Sequence, residues 1–370
     1  MNEIVVDQLA AALAKWSPRL RVVRSSFEVP AATTDRRVDA LLDLEGGWCL
    51  AVEAIGEGYP RDVSAAADHL ANLLPALPEG PVEPIPLVAA RYMTEPSRAL
   101  LRERGFGYFD SSSGSLHLQR GDLVVHVDRP AQKPAKRGRP VDPFLGAREQ
   151  VVLALLLSDQ AWTTGQELAA TSSTSTFTVS TTLDELERQD WIESKGTGKL
   201  MQRRLARPGA LLDAWSEAWR ERIAKGRVPQ RRYYKFSNPV SKLMQWAADN
   251  LEVLGLADRT ERLPWAFTGP AAANLVAPHL TAVNVVDIIV PPKTLDLVET
   301  ALELEPVDQG PNLAISERGG AALMARGRSP SPQLHVGWIA NPFVLYLDLQ
   351  DGRGRNKELG QHLRETVLHI

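Results

Sequence analysis

The stretch TTGQELAATSSTSTFTVSTTLDELERQDWIESKGTGKLMQRRL, residues 163–205, decides how this chain is read. It predicts two helices and a hairpin. Thr163 starts the first helix, and Gln166 three residues on completes a capping-box pattern, in which side chains satisfy the free backbone N–H groups of the first turn. Leu168 and Ala169 are its apolar residues, and a Ser/Thr-rich turn follows. Ser175 is placed as the N-cap of the next helix, whose Val179, Leu183 and Leu186 recur at helical spacing and face inward. Trp191-Ile192 opens a strand, Gly196-Thr197-Gly198 turns it, and residues 200–205 run back. Immediately upstream, residues 147–159 carry Val151, Val152, Leu155 and Leu156 on one helical face. Three helices closed by a hairpin of this size predict the winged variant of the helix-turn-helix.

The side chains left over from the core give that unit its chemistry. A third helix entering a DNA major groove by its N-terminal half would present Ser175, Thr176, Thr178, Ser180 and Thr181. These are short hydroxyl side chains that bond phosphates or base edges and let the backbone approach closely. The hairpin adds Lys195, Lys199, Arg203 and Arg204, cations suited to flanking phosphates. Asp184, Glu185 and Glu187, in the far half of the helix, must point away from phosphate. No Arg, Asn or Gln stands early in the helix, so the usual bidentate readers of bases are missing, and the same unit could serve protein contact instead.

Working outward, the whole chain of 370 residues carries a formal net charge of −3, yet its charge is unevenly spread. Residues 129–235 hold 19 Lys/Arg against 12 Asp/Glu, a local balance of +7, and the remainder stands at −10. A basic middle in an acidic chain is the pattern of a focused phosphate-binding surface, although charge fluctuates along any sequence. Apolar residues at 44% and charged residues at 24% describe a globular protein with no need of covalent staples. The single cysteine, Cys49, excludes an internal disulfide, and its apolar neighbours predict a buried, unreactive thiol. No run of 18 apolar residues and no basic-then-apolar leader is present, which predicts a cytoplasmic protein without a membrane partner. The seven histidines are scattered, and no phosphate-cradling Gly-rich loop or nucleophile elbow is present, so neither cofactor nor metal is expected.

The expected fold class is multidomain α/β, in four parts. Residues 1–128 alternate helices and strands: a helix over 2–13, strands over 21–23, 40–44 and 48–54 with a Glu45-Gly46-Gly47 turn, a helix over 62–74, a strand over 85–90, a helix over 95–104 and three short strands. Residues 129–143, with four prolines and five basic side chains, form an extended linker. Residues 144–235 hold the winged helix and a following helix from 209 to 224. Residues 236–370 form a second α/β region, with helices over 240–254, 294–302 and 356–368 and strands over 283–290 and 343–349. Gly269-Pro270 is read there as a helix-initiating turn rather than a nucleotide-binding one, and Arg353, Arg355 and Lys357 as a solvated turn.

Two local patterns resemble known motifs. Asp39 on one strand and Glu53-Ala54-Ile55 at the end of the next resemble the PD-(D/E)xK nuclease pattern, in which Asp and Glu hold Mg²⁺ and a Lys assists the attacking water. Here Ile55 stands at the lysine position. An apolar side chain cannot polarise water, so a degenerate, non-catalytic domain is expected; the pair also fits ordinary polar residues at strand ends. An active Mg²⁺-dependent nuclease would need a replacement cation such as Arg61. In the linker, Lys136-Arg137-Gly138-Arg139-Pro140 resembles the AT-hook core, where Gly lets the chain lie flat in a narrow A·T minor groove and Arg side chains run along its floor.

Taken whole, the chain resembles AbiEi-type antitoxins and related transcriptional regulators. The resemblance rests on Pro86-Leu87-Val88-Ala89 through Gly105-Phe106-Gly107-Tyr108-Phe109-Asp110, on Trp162-Thr163 through Trp191-Ile192, on Thr268-Gly269-Pro270-Ala271-Ala272-Ala273 and on Leu345-Tyr346-Leu347-Asp348-Leu349. It implies a degenerate nuclease-like domain, a winged helix and a C-terminal antitoxin-like domain, with repression of transcription as the activity and double-stranded DNA and a cognate toxin as partners. The nuclease-like N-terminal part departs from shorter antitoxins. An antitoxin working by protein contact and a DNA-cleaving enzyme are the alternatives.

Overall fold

The structure is a computed structural model that describes residues 2–31, 36–77, 82–131, 141–159, 161–237, 239–254, 262–330 and 337–370. It is mixed α/β, with three sheets among the described residues. Two compact units divide the chain: Met1–Pro140 with Glu187–Asp190, and Val141–Leu186 with Trp191–Ile370. Among the described residues no helix is long and apolar enough to cross a membrane.

The first unit is a seven-stranded sheet in sequential order, β1 (Val22–Pro30), β2 (Arg37–Leu44), β3 (Cys49–Gly58), β4 (Ile85–Met93), β5 (Gly107–Asp110), β6 (Ser115–Arg120) and β7 (Leu123–Val127). Both flanks are antiparallel, while β3, β4 and β5 run parallel and need crossover helices. α2 (Pro60–Leu73) and α3 (Glu95–Glu103) supply them. α1 (Asn2–Trp16) covers the opposite face, burying Val5, Leu9 and Leu13 against Ala40, Leu42, Leu50, Val52 and Leu87. Each such aliphatic side chain contributes roughly 1.5–3 kcal/mol on full burial. β2 shows the expected alternation, with Val38, Ala40, Leu42 and Leu44 buried. β1 runs nine residues where three are expected; it lies at the sheet edge with mostly exposed side chains, so no apolar alternation marks it. Cys49 is half-buried rather than buried, and burial, then a hydrogen bond and the charge of Asp43, push its thiol up to about 12.

A buried ion pair closes this unit. Arg98 on α3 and Asp110 at the end of β5 are fully buried, with Nη2 donating to Asp110 Oδ2 at 2.6 Å. The same guanidinium donates to Ser113 Oγ at 3.0 Å, Asp128 Oδ1 at 3.1 Å and the Arg129 carbonyl at 2.7 Å. These bonds pin the β5–β6 turn and the end of β7 to α3.

The second unit opens with α4 (Ala147–Leu157), β8 (Thr163–Thr164), α5 (Gly165–Ser172), α6 (Thr176–Arg188), β9 (Ile192–Lys195) and β10 (Gln202–Leu205). β10 lies between β8 and β9 in a small antiparallel sheet. The capping box of α5 is present one residue later than expected, on Thr164 and Glu167. Thr163 is engaged elsewhere, paired with Arg203 in β8.

α7 (Pro208–Ala224) then leads to a six-stranded sheet in the order β11 (Gln230–Tyr233), β14 (Leu313–Glu317), β13 (Val286–Val290), β12 (Ala266–Thr268), β16 (Trp338–Ile339) and β15 (Gly327–Arg328). α8 (Val240–Val253), α9 (Gly269–Val276), α10 (Leu295–Leu302), α11 (Pro342–Asp348) and α12 (Asn356–Leu363) accompany it. Residues 343–349, expected as a strand, are therefore helical. Pro342 starts the helix and the Asn341 side chain caps it by accepting from the Phe343 N–H at 3.1 Å. Phe343, Val344, Leu345, Tyr346 and Leu347 are buried on every side, and such a run has no periodicity to separate helix from strand.

One hydrophobic core runs through this second unit, from Phe144 and Val151 through Trp215 and Ile288 to Leu363. A polar thread lies inside it. Glu149 on α4, 3% exposed, accepts the Trp215 indole N–H at Oε1 and lies 3.6 Å from the Arg222 guanidinium. Its Oε2 accepts the Ala321 N–H at 3.3 Å, an approach that needs Gly320: a Cβ there, at φ +63°, would stand 2.2 Å from the carboxylate.

Candidate nucleic-acid interface

α6 begins where Ser175 caps it, its Oγ accepting the Thr178 N–H at 3.1 Å. Val179, Thr182, Leu183 and Leu186 turn inward and are buried. That leaves Thr176, Phe177 and Ser180 exposed on the first two turns, with Thr178 and Thr181 half-buried beside them. The Thr181 hydroxyl donates to the Phe177 and Thr178 carbonyls, and Thr178 Oγ1 meets Ser175 Oγ at 2.9 Å. Thr176 and Ser180 are the expected hydroxyl side chains most open to an incoming ligand. Phe177 is 76% exposed, and sequence reading passed over it. Its signal was available: it is an aromatic residue off the 179/183/186 inward stripe.

The hairpin brings its cations together around one aromatic ring. Trp162 has the Lys195 ammonium 4.2 Å and the Arg204 guanidinium 4.8 Å from its ring centroid, which fixes both side chains by cation–π attraction. Arg204 also pairs with Glu193 at 2.5 Å, so part of its charge is already answered. Arg203 has no ion-pair partner among the described residues, and its Nε is buried without a hydrogen bond. Leu200 at the turn is 82% exposed. The Lys199 side chain and the hook residues Lys136, Arg137, Gly138 and Arg139 lie outside the described residues.

The second candidate set sits in the first unit. Asp39 on β2 and Glu53 on β3 are neighbours, as expected, and Asp39 Oδ2 accepts the Ala54 N–H at 2.7 Å. His69 on α2, not anticipated from sequence, brings its Nε2 to 3.9 Å from Glu53 Oε1 and 3.2 Å from the Arg37 carbonyl. Glu53 Oε2 is buried without a hydrogen-bond partner. Burial first, and then the Asp39 and Glu28 carboxylates, push the Glu53 carboxyl up to about 8. Ile55 packs against the core between the sheet and α2 and α3. Among the described residues no three His, Cys, Asp or Glu side chains converge to hold a metal ion. Ile55 supplies no charge beside this pair, so the lysine of the nuclease pattern has no counterpart at that position.

Comparison with protein-family models, with curated proteins and with solved structures finds no match to this chain.

Proposed function

We propose that the protein binds double-stranded DNA and regulates transcription, with residues 144–205 acting as a winged helix-turn-helix. The observation that carries this reading is the exposed N-terminal half of α6, with Thr176, Phe177 and Ser180 facing solvent on a helix anchored by three buried aliphatics. In this reading α6 enters the major groove and the β9–β10 hairpin is the wing, with Arg203, which has no ion-pair partner among the described residues, turned to phosphate and Lys195 and Arg204 held in place by Trp162. Arg137 and Arg139 of the linker add minor-groove contacts to A/T-rich flanks. The first unit is a degenerate nuclease-like domain whose Asp39 and Glu53 do not cleave DNA, for want of a cation at position 55. Repression in the cytoplasm, as in AbiEi-type regulators, is the activity we assign, with a toxin as a further partner.

The test is a gel shift with duplex from the gene's own upstream region, with Mg²⁺ present and a salt series. An intact retarded band whose affinity falls steeply with salt supports the reading. Shortened fragments would favour a nuclease instead, and no shift at low salt would count against DNA binding. Protein contact is the second reading, favoured by the exposure of Phe177 and Leu200, and it predicts that both residues become protected in complex with a co-purifying toxin rather than with DNA.

A further inference from the structure

The six-stranded sheet carries a polar cavity of about 220 Å³ that the DNA-binding reading does not use. Its floor is Asp287 on β13, 9% exposed, whose carboxylate has no hydrogen-bond partner among the described residues. Gly269, at φ +64°, lies directly against it: a Cβ there would stand 2.4 Å from Asp287 Oδ2, so any side chain would crowd the carboxylate. The carboxylate lines the cavity, where a ligand's donor can reach it. The neighbouring carboxylates are answered. Asp348 receives Arg318 Nη1 at 2.6 and 2.8 Å and is bonded by Thr268, and Asp351 pairs with Arg353 at 3.3 Å. Across the cavity Arg232 on β11 is exposed and has no ion-pair partner among the described residues. A largely buried carboxylate and the exposed Arg232 guanidinium thus line the same space, with Arg353 beside them.

We propose that this cavity binds a free α-amino acid, with the ligand's ammonium group on Asp287 and its carboxylate on Arg232 and Arg353. Charge complementarity selects a zwitterion: a simple anion would meet Asp287, and a simple amine would leave Arg232 unanswered. The volume selects a small one, since it lies below the ~300–1,000 Å³ typical of drug-sized ligands. A second cavity of about 310 Å³ shares Asp287 and Arg353 and is walled partly by Pro270, Leu280, Val283 and Val285, which gives room for an apolar ligand side chain. Burial, together with Asp348 and Asp351, raises the Asp287 carboxyl to about 7, and an ammonium partner would favour its ionised form.

The experiment is thermal unfolding of the full chain with each of the twenty amino acids at about 10 mM, read without DNA, so that it stands apart from the DNA-binding reading. At least one amino acid is expected to raise Tm by about 3 °C, while its N-acetylated and decarboxylated analogues do not. Asp287→Asn and, independently, Arg232→Ala should each weaken binding at least about tenfold by titration calorimetry. Arg232 is exposed, so its variant decides the matter even where Asp287→Asn unfolds. The proposal is overturned by any of three results: no amino acid raises Tm, the N-acetylated analogue works as well, or Arg232→Ala binds as tightly as the parent.

Discussion

The indole N–H of Trp215 on α7 donates to Glu149 Oε1 on α4 at 3.0 Å, inside a core where both residues are almost fully buried. The bond joins the first helix of the three-helix segment to the helix that leads into the large sheet. Burial raises the Glu149 carboxyl even against Arg318 and Arg222, so the carboxyl sits there at a cost that only its full set of partners offsets. Glu149→Ala leaves the Trp215 donor and the Ala321 N–H unanswered and takes the carboxylate from beside Arg222, which keeps its bond to the Phe144 carbonyl, and should destabilise the second unit by about 3 kcal/mol. Urea unfolding followed by tryptophan fluorescence measures this, and a loss below about 1 kcal/mol would show the thread to be incidental.

Arg98→Ala tests the corresponding feature of the first unit. Its removal leaves the fully buried Asp110 carboxylate without a counter-charge, held only by the Ser112 and Ser113 donors, and breaking such a pair costs about 3–5 kcal/mol. The loss should appear in unfolding of residues 1–128 and leave DNA affinity unchanged at temperatures where the unit stays folded.

Salt dependence separates the wing from the rest of the chain. If Lys199 and Arg203 each neutralise one phosphate, the double change Lys199→Ala with Arg203→Ala should flatten the slope of log K against log salt by about 1.8 and weaken binding to every sequence alike. An unchanged slope would remove the wing from the interface.

Phe177 is expected to act differently. An exposed aromatic on the first turn of a groove-entering helix can contact a thymine methyl group, so Phe177→Ala should lower preference for one base pair by about tenfold and leave non-specific affinity intact. Selection from a randomised duplex library reads this directly, and an unaltered consensus would point to a protein partner for Phe177.

Glu53 makes stability depend on pH in a defined direction. Its carboxyl sits at about 8 in the folded chain, against about 4.5 unfolded, so between these values the folded state binds the extra proton. Its contribution is therefore fully present below pH ~4.5 and declines as pH rises towards ~8. Glu53→Gln, neutral throughout, should remove that part of the slope, and a variant whose stability falls over this window just as the parent's does would contradict the assignment.

Much of this was legible in the sequence because the signals were local. The Val179, Leu183 and Leu186 stripe, the Ser175 cap and the Glu45-Gly46-Gly47 turn each depend on neighbours within a turn or two, and each stands in the structure. What escaped depended on distant partners. The run 343–347 reads equally as strand or helix when every face is covered, and only Pro342 and Asn341 favoured the helix. Thr163 reads as a cap until its pairing with Arg203, forty residues away, is known. His69 is brought beside Glu53 by the α2 crossover, and Gly269 beside Asp287 by the pairing of β12 with β13, so no spacing rule could join them.

The continuous core of the second unit has a consequence for how such a chain can be inherited. Trp215 and Leu211, on the helix after the hairpin, are buried in the same cluster as Leu345 and Leu363 near the C-terminus. A gene fragment ending near residue 235 would present that aromatic face to water, inviting aggregation or proteolysis rather than an independently folded unit. The three-helix segment is therefore not a cassette that recombination could graft onto a foreign partner. It must pass from one generation to the next together with the sheet that follows it.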